Sequence, residues 1–407
     1  MNDKHHKKNN SDSNHIQFVF FGRLDQEKGW DLLINVWQRL VNEYKEGHND
    51  YITKTRFLVF GDGPYREKLL HLGAKSSSIK YFGWKARSDL ERYIAASDYT
   101  LMPSLFLETF GLTALESLSL GVPVIGFKKG WLIPFITPEL NINNYPGDND
   151  EEKLYNCLIE AITNTPLKQK QRLCERASKT SYKYTKEHWL KNFHQLIHTN
   201  DKQRRVLLVS DYATELYGIE THIYSLKAML EKNGYEVELY GANVRKNKRN
   251  KLVRTLLLPI STRNFRAARQ IKNHIGNSRP HIIRWHSTSR WLGRYPLWAT
   301  RNFKGQQWMT YHDLWYFHPF PHKVHETKQL PTWKLGNYLK AGKTKNPIVL
   351  LAMICKFILH GFLRKQVKKN LDKHFVPSTY MFPIVQKRLG HKPKGKVMLL
   401  EHYLRDT

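Results

Sequence analysis

Two glutamates, Glu108 and Glu116, flank seven residues in the stretch LFLETFGLTALESLSLGVPVIG. Gly111 lies between them and lets the backbone approach a ligand closely where the next helix is expected to begin. The free N–H groups and positive dipole end of that helix favour an anion such as a pyrophosphate. Glu116 can then accept hydrogen bonds from a ribose hydroxyl pair, and Glu108 can bind sugar hydroxyls beyond the phosphates. The alternative is a capping role for Glu108 and a solvated helix position for Glu116.

Two cations share an earlier loop. Arg23 and Lys28 lie in the stretch GRLDQEKGW, directly after an apolar run. Fixed positive charges at the open edge of a sheet suit a diphosphate. The alternative interpretation is a solvated loop.

The second half offers histidines after apolar runs. His312 and Asp313 end the stretch QQWMTYHD, His286 follows HIIRW, and His222 follows Gly218. Histidine is the side chain that changes charge near neutral pH, and a neighbouring carboxylate can orient it. His312 is therefore the catalytic candidate, with Asp313 beside it. The alternatives are a satisfied polar residue for His312 and a surface helix residue for His222.

These candidates follow strands of a predicted parallel sheet. Continuous apolar runs alternate with helical spacing in both halves of the chain, which is typical of buried parallel strands covered by helices. The first half contains IQFVFFG, TRFLVFGDG, IKYFGW, DYTLMPS and VPVIGF, and the second contains RRVLLVSDY, YEVELYG, HIIRWHS, QQWMTYHD and DKHFVPS. The sequence thus predicts an α/β protein with two Rossmann-like, doubly wound domains. Ligands of such sheets bind beyond the carboxyl ends of the strands.

The predicted boundaries follow from that alternation. We expect a disordered basic arm over residues 1–15, one domain over 16–198, a linker over 199–204 and a second domain over 205–407. The arm lacks the apolar stretch of a signal peptide. The three cysteines, Cys157, Cys174 and Cys355, are too few and too widely spaced for a disulfide framework or a zinc motif, and they favour a reducing compartment.

The net charge is distributed unevenly between the two halves of the chain. Residues 1–200 contain 27 Lys and Arg against 23 Asp and Glu, which leaves 39 against 12 for the remainder of the 66 and 35. The second half therefore carries +27 of the net +31 and should meet an anionic partner. Residues 245–272 and the apolar, then basic, segment 348–369 suit an anionic membrane surface. A core helix with a basic tail, and charge that serves only solubility, are the alternatives.

The first half also carries a family resemblance. FFGRLDQEKGWDLL, VFGDGPYREKL, YFGW and SDYTLMPSLFLETFGLTALESLSLGVPVIG resemble the donor-binding half of family 4 glycosyltransferases of GT-B fold, over nearly all of residues 16–195. Glu108 and Glu116 match that family's E-x7-E motif. The resemblance implies a retaining enzyme that needs no metal or other cofactor and uses a nucleotide-diphosphate sugar, a UDP- or GDP-sugar, as donor.

Roles for individual residues come with the resemblance. It implies that Arg23 and Lys28 bind the donor diphosphate and that Glu116 binds the ribose. It implies that Glu108 binds the donor sugar, helped by backbone amides near Thr109, Phe110, Gly111 and Leu112. The loop from Gly83 to Lys85 would lie near the base.

The second half resembles the acceptor-side domain of the same family. VLLVSDYATELYGIETHIYSLKAMLEKNGYEVELYG and WMTYHDLWYF match its first strands and its strand ending in His-Asp, which makes His312 the candidate active-site histidine. Tyr217-Gly218 stands where the family usually has two glycines. The family places the acceptor domain first, so this order predicts a circular permutation of two domains that face a cleft. Fragments of two tandem transferases are the alternative.

The sequence thus predicts a hexosyltransferase at the inner face of the cytoplasmic membrane. It would act on a glycan or lipid-linked acceptor in cell-envelope polysaccharide synthesis, and no nucleic-acid motif accompanies its charge. Three alternatives remain: a non-catalytic GT-B subunit that supports a partner transferase, a basic nucleic-acid-binding protein, and a GT-B sugar-nucleotide epimerase.

Overall fold

The computed structural model divides into two compact units. The first extends to His188 and the second begins at Trp189. The structure describes residues 15–108, 110–164, 167–196, 204–211, 218–241, 264–287, 292, 295–312, 334–342, 346–390, 395–400 and 402–403. The expected arm at residues 1–14 and the linker at 199–203 lie outside these ranges.

The first unit is built on a five-stranded parallel sheet of order β3-β2-β1-β4-β5. Its strands are β1 (Ile16–Phe21), β2 (Thr55–Phe60), β3 (Ile79–Gly83), β4 (Tyr99–Met102) and β5 (Val124–Gly126). Its helices are α1 (Trp30–Lys45), α2 (Arg66–Lys75), α3 (Arg87–Ala95), α4 (Leu112–Ser119), α5 (Asp150–Thr163) and α6 (Leu167–Tyr182).

Helices cover both faces of this sheet. On one face, Trp30 and Trp37 of α1 pack against the rings of Phe18, Phe20 and Phe57. On the other face, Val19, Phe21, Leu58 and Phe60 form a buried cluster with Ile94 of α3 and Val122. The strands read as continuous apolar runs because alternate side chains enter the two separate cores.

The second unit is built on a six-stranded parallel sheet of order β11-β10-β9-β8-β6-β7. Its strands are β6 (Arg204–Ser210), β7 (Tyr235–Gly241), β8 (Ile282–Ser287), β9 (Gln306–Thr310), β10 (Lys373–Val376) and β11 (Lys396–Leu399). Helix α7 (Lys186–Leu196) leads into it, followed by α8 (Gly218–Lys232), α9 (Phe265–Ser278), α10 (Tyr295–Ala299), α11 (Leu335–Gly342), α12 (Pro347–Asn370) and α13 (Met381–Leu389).

This sheet too has a core on each face. Val206, Leu208 and Ile282 pack with α7 and α8, whereas Val209 and Ile283 pack with α9, α12 and α13. Two parallel sheets with helices on both faces confirm the predicted α/β, doubly wound class.

The boundary between the two units lies earlier in the chain than the sequence predicts. The sequence places the end of the first domain at residue 198, but Trp189 and Phe193 of α7 are buried in the core of the second unit. Both aromatic residues stack with each other and lie within ring contact of second-unit side chains. Helix α7 follows α6 without a composition shift, so the sequence holds no signal for which sheet it covers.

Candidate functional site

The carboxyl edge of the first sheet is a tightly joined set of loops. The main-chain N–H of Leu24 donates to the oxygen of Asp62 at 3.0 Å, which ties the loop after β1 to the loop after β2. A Cβ on Gly61 would lie 1.8 Å from the oxygen of Gly22, and one on Gly63 would lie 2.4 Å from that of Leu24. Glycine is therefore required at both positions because the two backbones touch.

The loop after β4 joins the same edge. Leu105 donates its N–H to the oxygen of Glu27 at 2.8 Å. Gly29 adopts a φ of 80° as the residue before α1, and a Cβ there would lie 2.2 Å from the oxygen of Pro103. Loops that are distant in sequence are thus held at fixed separation, as a binding site at a sheet edge needs.

Lys28 and Glu108 meet in this region. The Lys28 Nζ lies 2.6 Å from Glu108 Oε1, and the two side chains are only 14% and 8% exposed. The hydroxyl of Ser104 donates to the same oxygen at 2.8 Å. The structure therefore brings together two residues that the sequence assigned to different parts of a ligand, the diphosphate and the sugar.

Arg23 is placed differently from Lys28. Its guanidinium pairs with the carboxylates of Asp25 and Glu27, and its side chain is 58% exposed. Asp25 also accepts the main-chain N–H of Lys28 at 3.1 Å, which caps the short turn before α1. Arg23 is thus an exposed cation at the rim of the loop, with acidic neighbours on its own turn.

The structure gives a packing reason for a glycine at position 111. It adopts a φ of 75° directly before Leu112 begins α4, and a Cβ there would lie 2.8 Å from Leu132 Cδ2. Phe110 is buried against Trp131 at 5.4 Å between ring centroids. Leu132 and Phe135 therefore fill the space that a Cβ would take, and the approach of this backbone to a ligand stays a prediction. Thr109 lies outside the described residues.

The remaining first-unit candidates lie along the same edge. Glu116 is in α4, with its carboxylate 3.6 Å from Arg87 of α3. Gly83 ends β3 with a φ of 67° and accepts the N–H of Gly61 at 2.9 Å. Lys85 follows it and is exposed. A role of this loop near a base stays a prediction.

Lys129 is a candidate that the sequence reasoning missed. It follows β5, and its Nζ donates to the oxygen of Leu105 at 3.1 Å. Burial lowers the pKa of Lys129. Two residues on, Trp131 donates its N–H to the oxygen of Glu108 at 3.3 Å. The Lys-Lys-Gly turn follows a strand, as binding loops of such sheets do, but it carries no motif that marks it as a site.

Four histidines cluster in the second unit. His312 Nε2 lies 2.9 Å from His286 Nδ1, and His312 Nδ1 lies 3.3 Å from His402 Nε2. The ring of His222 lies 4.1 Å from that of His402, measured between centroids. All four are buried, so the alternative of a surface position for His222 is wrong. Both ring nitrogens of His312 are engaged by other histidines, and its catalytic role stays a prediction.

Burial disfavours the charged form of three of these imidazoles. It lowers the pKa of His312 to about 3 and holds the pKa values of His222 and His286 well below the ordinary range. The buried Arg284 adds to each of these shifts through its charge. Its Nε donates to the hydroxyl of Thr310 at 3.1 Å, and burial lowers its own pKa to about 10.

Some second-unit candidates lie partly or wholly outside the described residues. Asp313 and Tyr217 lie outside the described residues, and Gly218 is the first residue of α8. Of the basic segment 245–272, residues 264–272 are described and include the start of α9.

Neither a metal cluster nor a membrane span is found in the described ranges. No three His, Cys, Asp or Glu side chains among those residues are arranged to hold a metal ion. None of the helices in the same ranges has both the length and the apolar character to cross a membrane.

Both halves of the chain match family models. Residues 1–180 match the model described as Glycosyl transferases group 1, and residues 217–344 match the model described as Glycosyltransferase Family 4. Each model covers less than half of the 407 residues.

Curated relatives match shorter stretches. An uncharacterized 41.2 kDa protein in the cps region of Klebsiella pneumoniae is 35% identical over 112 residues, which are 27% of each chain. The alpha-monoglucosyldiacylglycerol synthase of Streptococcus pneumoniae is 32% identical over 35% of this chain and 31% of its own. A GDP-mannose-dependent alpha-(1-6)-phosphatidylinositol dimannoside mannosyltransferase of Mycobacterium tuberculosis is 29% identical over 40% and 39%. The chain thus spans about a third of the length of these relatives.

Among solved structures, Anabaena Alr3699/HepE in complex with UDP-glucose is 21% identical, with a TM-score of 0.32 over 42% of this chain and 44% of that one. That likeness is too weak to carry an argument. The family models, one on each half of the chain, together support a glycosyltransferase of the group 1 type.

Proposed function

We propose that this protein is a retaining glycosyltransferase that moves a hexosyl group from a UDP- or GDP-sugar to a glycan or lipid-linked acceptor in cell-envelope polysaccharide synthesis. The observation that carries the proposal is the Lys28–Glu108 pair, 2.6 Å apart, which joins the loops after β1 and β4 at the carboxyl edge of the first sheet. The group 1 family match covers this region. The name of one relative, a GDP-mannose-dependent mannosyltransferase, is consistent with a GDP-sugar donor, and the name of a second, an alpha-monoglucosyldiacylglycerol synthase, is consistent with a lipid acceptor.

The proposed chemistry rests on positioning and charge. Departure of the nucleotide diphosphate leaves negative charge, which Arg23, Lys28 and the N-terminus of α4 would stabilise without a metal. Lys28 and Ser104 fix one carboxylate oxygen of Glu108. The other oxygen would accept a donor-sugar hydroxyl, and Glu116 would accept ribose hydroxyls.

The same proposal assigns the acceptor to the second unit. The group 1 match precedes the Family 4 match along the chain, and a circular permutation is our account of that order. His312 and Gly218 would take part in acceptor binding.

Thermal unfolding tests the donor assignment. The full chain is melted alone and with UDP, GDP, ADP and their sugars, beside Glu116→Ala. A base-selective rise in melting temperature that is lost in the variant supports the proposal, because a ligand that binds only the folded state raises its stability. No rise with any nucleotide contradicts it.

We further propose that the second unit works at an anionic membrane surface. One face of α12, the apolar-basic face, consists of Leu351, Ile358, Phe362, Lys365 and Lys369, whose spacing places them on one side of the helix. All five are exposed, with Leu351 55% exposed. Helices α11 and α12 contain no acidic residue, so their charge is complementary to an anionic lipid surface.

Vesicle sedimentation tests this surface. Wild type should sediment with vesicles of phosphatidylglycerol and phosphatidylcholine but poorly with phosphatidylcholine alone. Leu351→Gln with Phe362→Gln should weaken that binding about tenfold, since each change removes apolar burial. Leu70→Gln on α2, also exposed, is the control in the first unit. Equal binding by the α12 double variant contradicts the assignment.

One observation favours a second candidate, a non-catalytic GT-B subunit. His312, the candidate active-site histidine, has both ring nitrogens within hydrogen-bond distance of other histidines. A subunit of this kind could bind a donor without turning it over. Release of nucleotide diphosphate from UDP- and GDP-sugars by the full chain with acceptor extracts would decide against it.

A further inference from the structure

The cations at the carboxyl edge of the first sheet differ in their partners. Lys28 is paired with Glu108, and Arg23 is paired with Asp25 and Glu27. A cation that is already paired has less to gain from a ligand anion, because its own carboxylate competes. A cation on this edge that lacks a carboxylate partner could therefore add to the charge that Arg23 and Lys28 offer a diphosphate.

Lys129 is half-buried and has a different set of neighbours. Its Nζ donates to the main-chain oxygen of Leu105 at 3.1 Å and lies 4.7 Å from the centroid of the Phe127 ring. Within the described part of the chain, the ion pairs do not include Lys129. Asp150 favours its charged form at longer range, but burial outweighs that effect and lowers its pKa.

The position of Lys129 places it beside the proposed donor site. Strand β4 lies between β1 and β5, so the loop after β4 is flanked by the loops that carry Lys28 and Lys129. Leu105 of that middle loop bonds to Glu27 on one side through its N–H and to Lys129 on the other through its oxygen. Glu108 lies three residues further along.

We propose that Lys129, which contacts no carboxylate of the described residues, supplies further positive charge that helps to neutralise the donor diphosphate at this edge. This inference deepens the proposed function and rests on it. A half-buried ammonium that bonds to a carbonyl has lost hydration without gaining a contacting counter-charge. A phosphate oxygen restores that counter-charge through a charge-assisted hydrogen bond.

Three variants of the full chain separate charge from hydrogen bonding. Lys129→Gln keeps an N–H donor for Leu105 but loses the charge, and Lys129→Arg keeps the charge. Lys128→Gln is the matched control, because Lys128 is the adjacent lysine and is also half-buried. Melting curves first establish that each variant folds.

Calorimetric titration with UDP, GDP and ADP, with their nucleosides and with their sugar nucleotides, then gives the affinities. For the diphosphate that binds wild type best, Lys129→Gln should weaken binding about tenfold, the scale of one hydrogen bond to a charged group. Lys129→Arg should stay within about threefold and Lys128→Gln within about twofold on the same scale. Nucleoside binding should not change with Lys129→Gln, because the lost contact is to phosphate.

Three results would overturn the inference. The first is that Lys129→Gln binds the diphosphate with wild-type affinity. The second is that Lys128→Gln loses as much affinity as Lys129→Gln. The third is that Lys129→Gln has reduced affinity for sugar nucleotides but wild-type affinity for the free diphosphate. The last would make Lys129 a positioning residue for the Glu108 loop. Failure of the proposed function itself looks different, because wild type would then bind none of the nucleotides.

Discussion

The two units are both parallel sheets covered by helices, and they differ in the polar groups at the carboxyl edge. In the first unit, charged side chains such as Lys28 and Glu108 pair across loops whose glycine backbones touch. In the second unit, His286, His312 and His402 form a buried chain of imidazole rings. A common sheet therefore does not determine the chemistry at its edge, which depends on the loop residues.

The difference has consequences for stability. A pair of opposite charges is sensitive to loss of one partner, because the other is left without a counter-charge. Burial of neutral histidines makes the folded state less stable in acid, because these histidines bind protons in the unfolded chain but not in the folded chain. We therefore expect substitution of one charged partner to destabilise the first unit and low pH to destabilise the second.

The largest expected effect is loss of the second unit in acid. The folded-state pKa values of His222, His286 and His312 are depressed, so their stabilising effect is complete above the unfolded value of about 6.5 and is lost as pH falls below it. At pH 5 this costs about 2 kcal/mol for His312, whose folded pKa is about 3, and His222 and His286 add losses of the same sign. Hydrogen exchange, corrected for its intrinsic pH dependence, should show β8 and β9 losing protection between pH 7 and pH 5.

The first unit is the internal control for that experiment. Its described histidines include His48 and His71, which are exposed on the surface. Protection of β1 and β2 should therefore change little over the same pH range. An equal loss in both sheets would contradict the contrast between the units.

The next largest effect should come from the charge pair of the first unit. Lys28→Met leaves the nearly buried carboxylate of Glu108 without its partner and should cost about 3–5 kcal/mol of unfolding free energy. Glu108→Leu should be similarly costly alone, and the double variant should recover much of the loss. Denaturant unfolding of the four proteins gives the coupling energy.

An exposed pair supplies the comparison for this cycle. Lys54 and Asp50 lie 2.8 Å apart, but their side chains are 51% and 57% exposed. Their coupling should not exceed about 0.5 kcal/mol, since water screens such pairs. Equal coupling in the two cycles would show that burial does not distinguish the Lys28–Glu108 pair.

A smaller effect should separate two glycines with nearly the same backbone. Gly111 and Gly47 have φ values of 75° and 74°, but only at Gly111 would a Cβ press on Leu132, at 2.8 Å. Gly47→Ala should cost about 1 kcal/mol from the left-handed conformation alone. Gly111→Ala should cost about 1–3 kcal/mol more, because it adds overpacking. Equal losses of stability in the two variants, measured by thermal unfolding, would mean that the Leu132 side chain moves away from the new methyl group without cost.

The smallest effect concerns the carboxylate in α4. Glu116→Gln should weaken nucleotide binding about tenfold, the value of a hydrogen bond to a charged group. Glu91→Gln is the control, since Glu91 bonds to the same Arg87 at 2.8 Å but lies in α3. If both variants lose affinity equally in a calorimetric titration, Arg87 rather than Glu116 is the ligand contact.

Much of the fold could be predicted because buried parallel strands leave a continuous apolar signal. Every strand proposed from runs such as IQFVFFG and VPVIGF is present, and the doubly wound class is confirmed. The assignment of α7 to the second unit could not be predicted, since an amphipathic helix does not show which sheet it will cover. The sheet against which a helix at a domain boundary packs is determined by tertiary contacts.

The candidate site was harder to predict for the same reason. Strand ends and paired charges led to Lys28, Glu108 and Gly111, but their mutual contacts depend on loop packing. Sequence spacing gave no sign that Lys28 already pairs with Glu108, or that His402 reaches His312 from 90 residues away along the chain. Lys129 was missed because its turn carries no motif.

The central claim is that the loops at the carboxyl edge of the first sheet bind the donor. Hydrogen exchange of the full chain with and without saturating UDP, GDP or ADP tests it most directly, because it locates binding without any acceptor. The account predicts protection in residues 22–29 and 103–118 for one of these nucleotides, with the second sheet unchanged. Protection confined to the second unit, or none with any nucleotide, would contradict it.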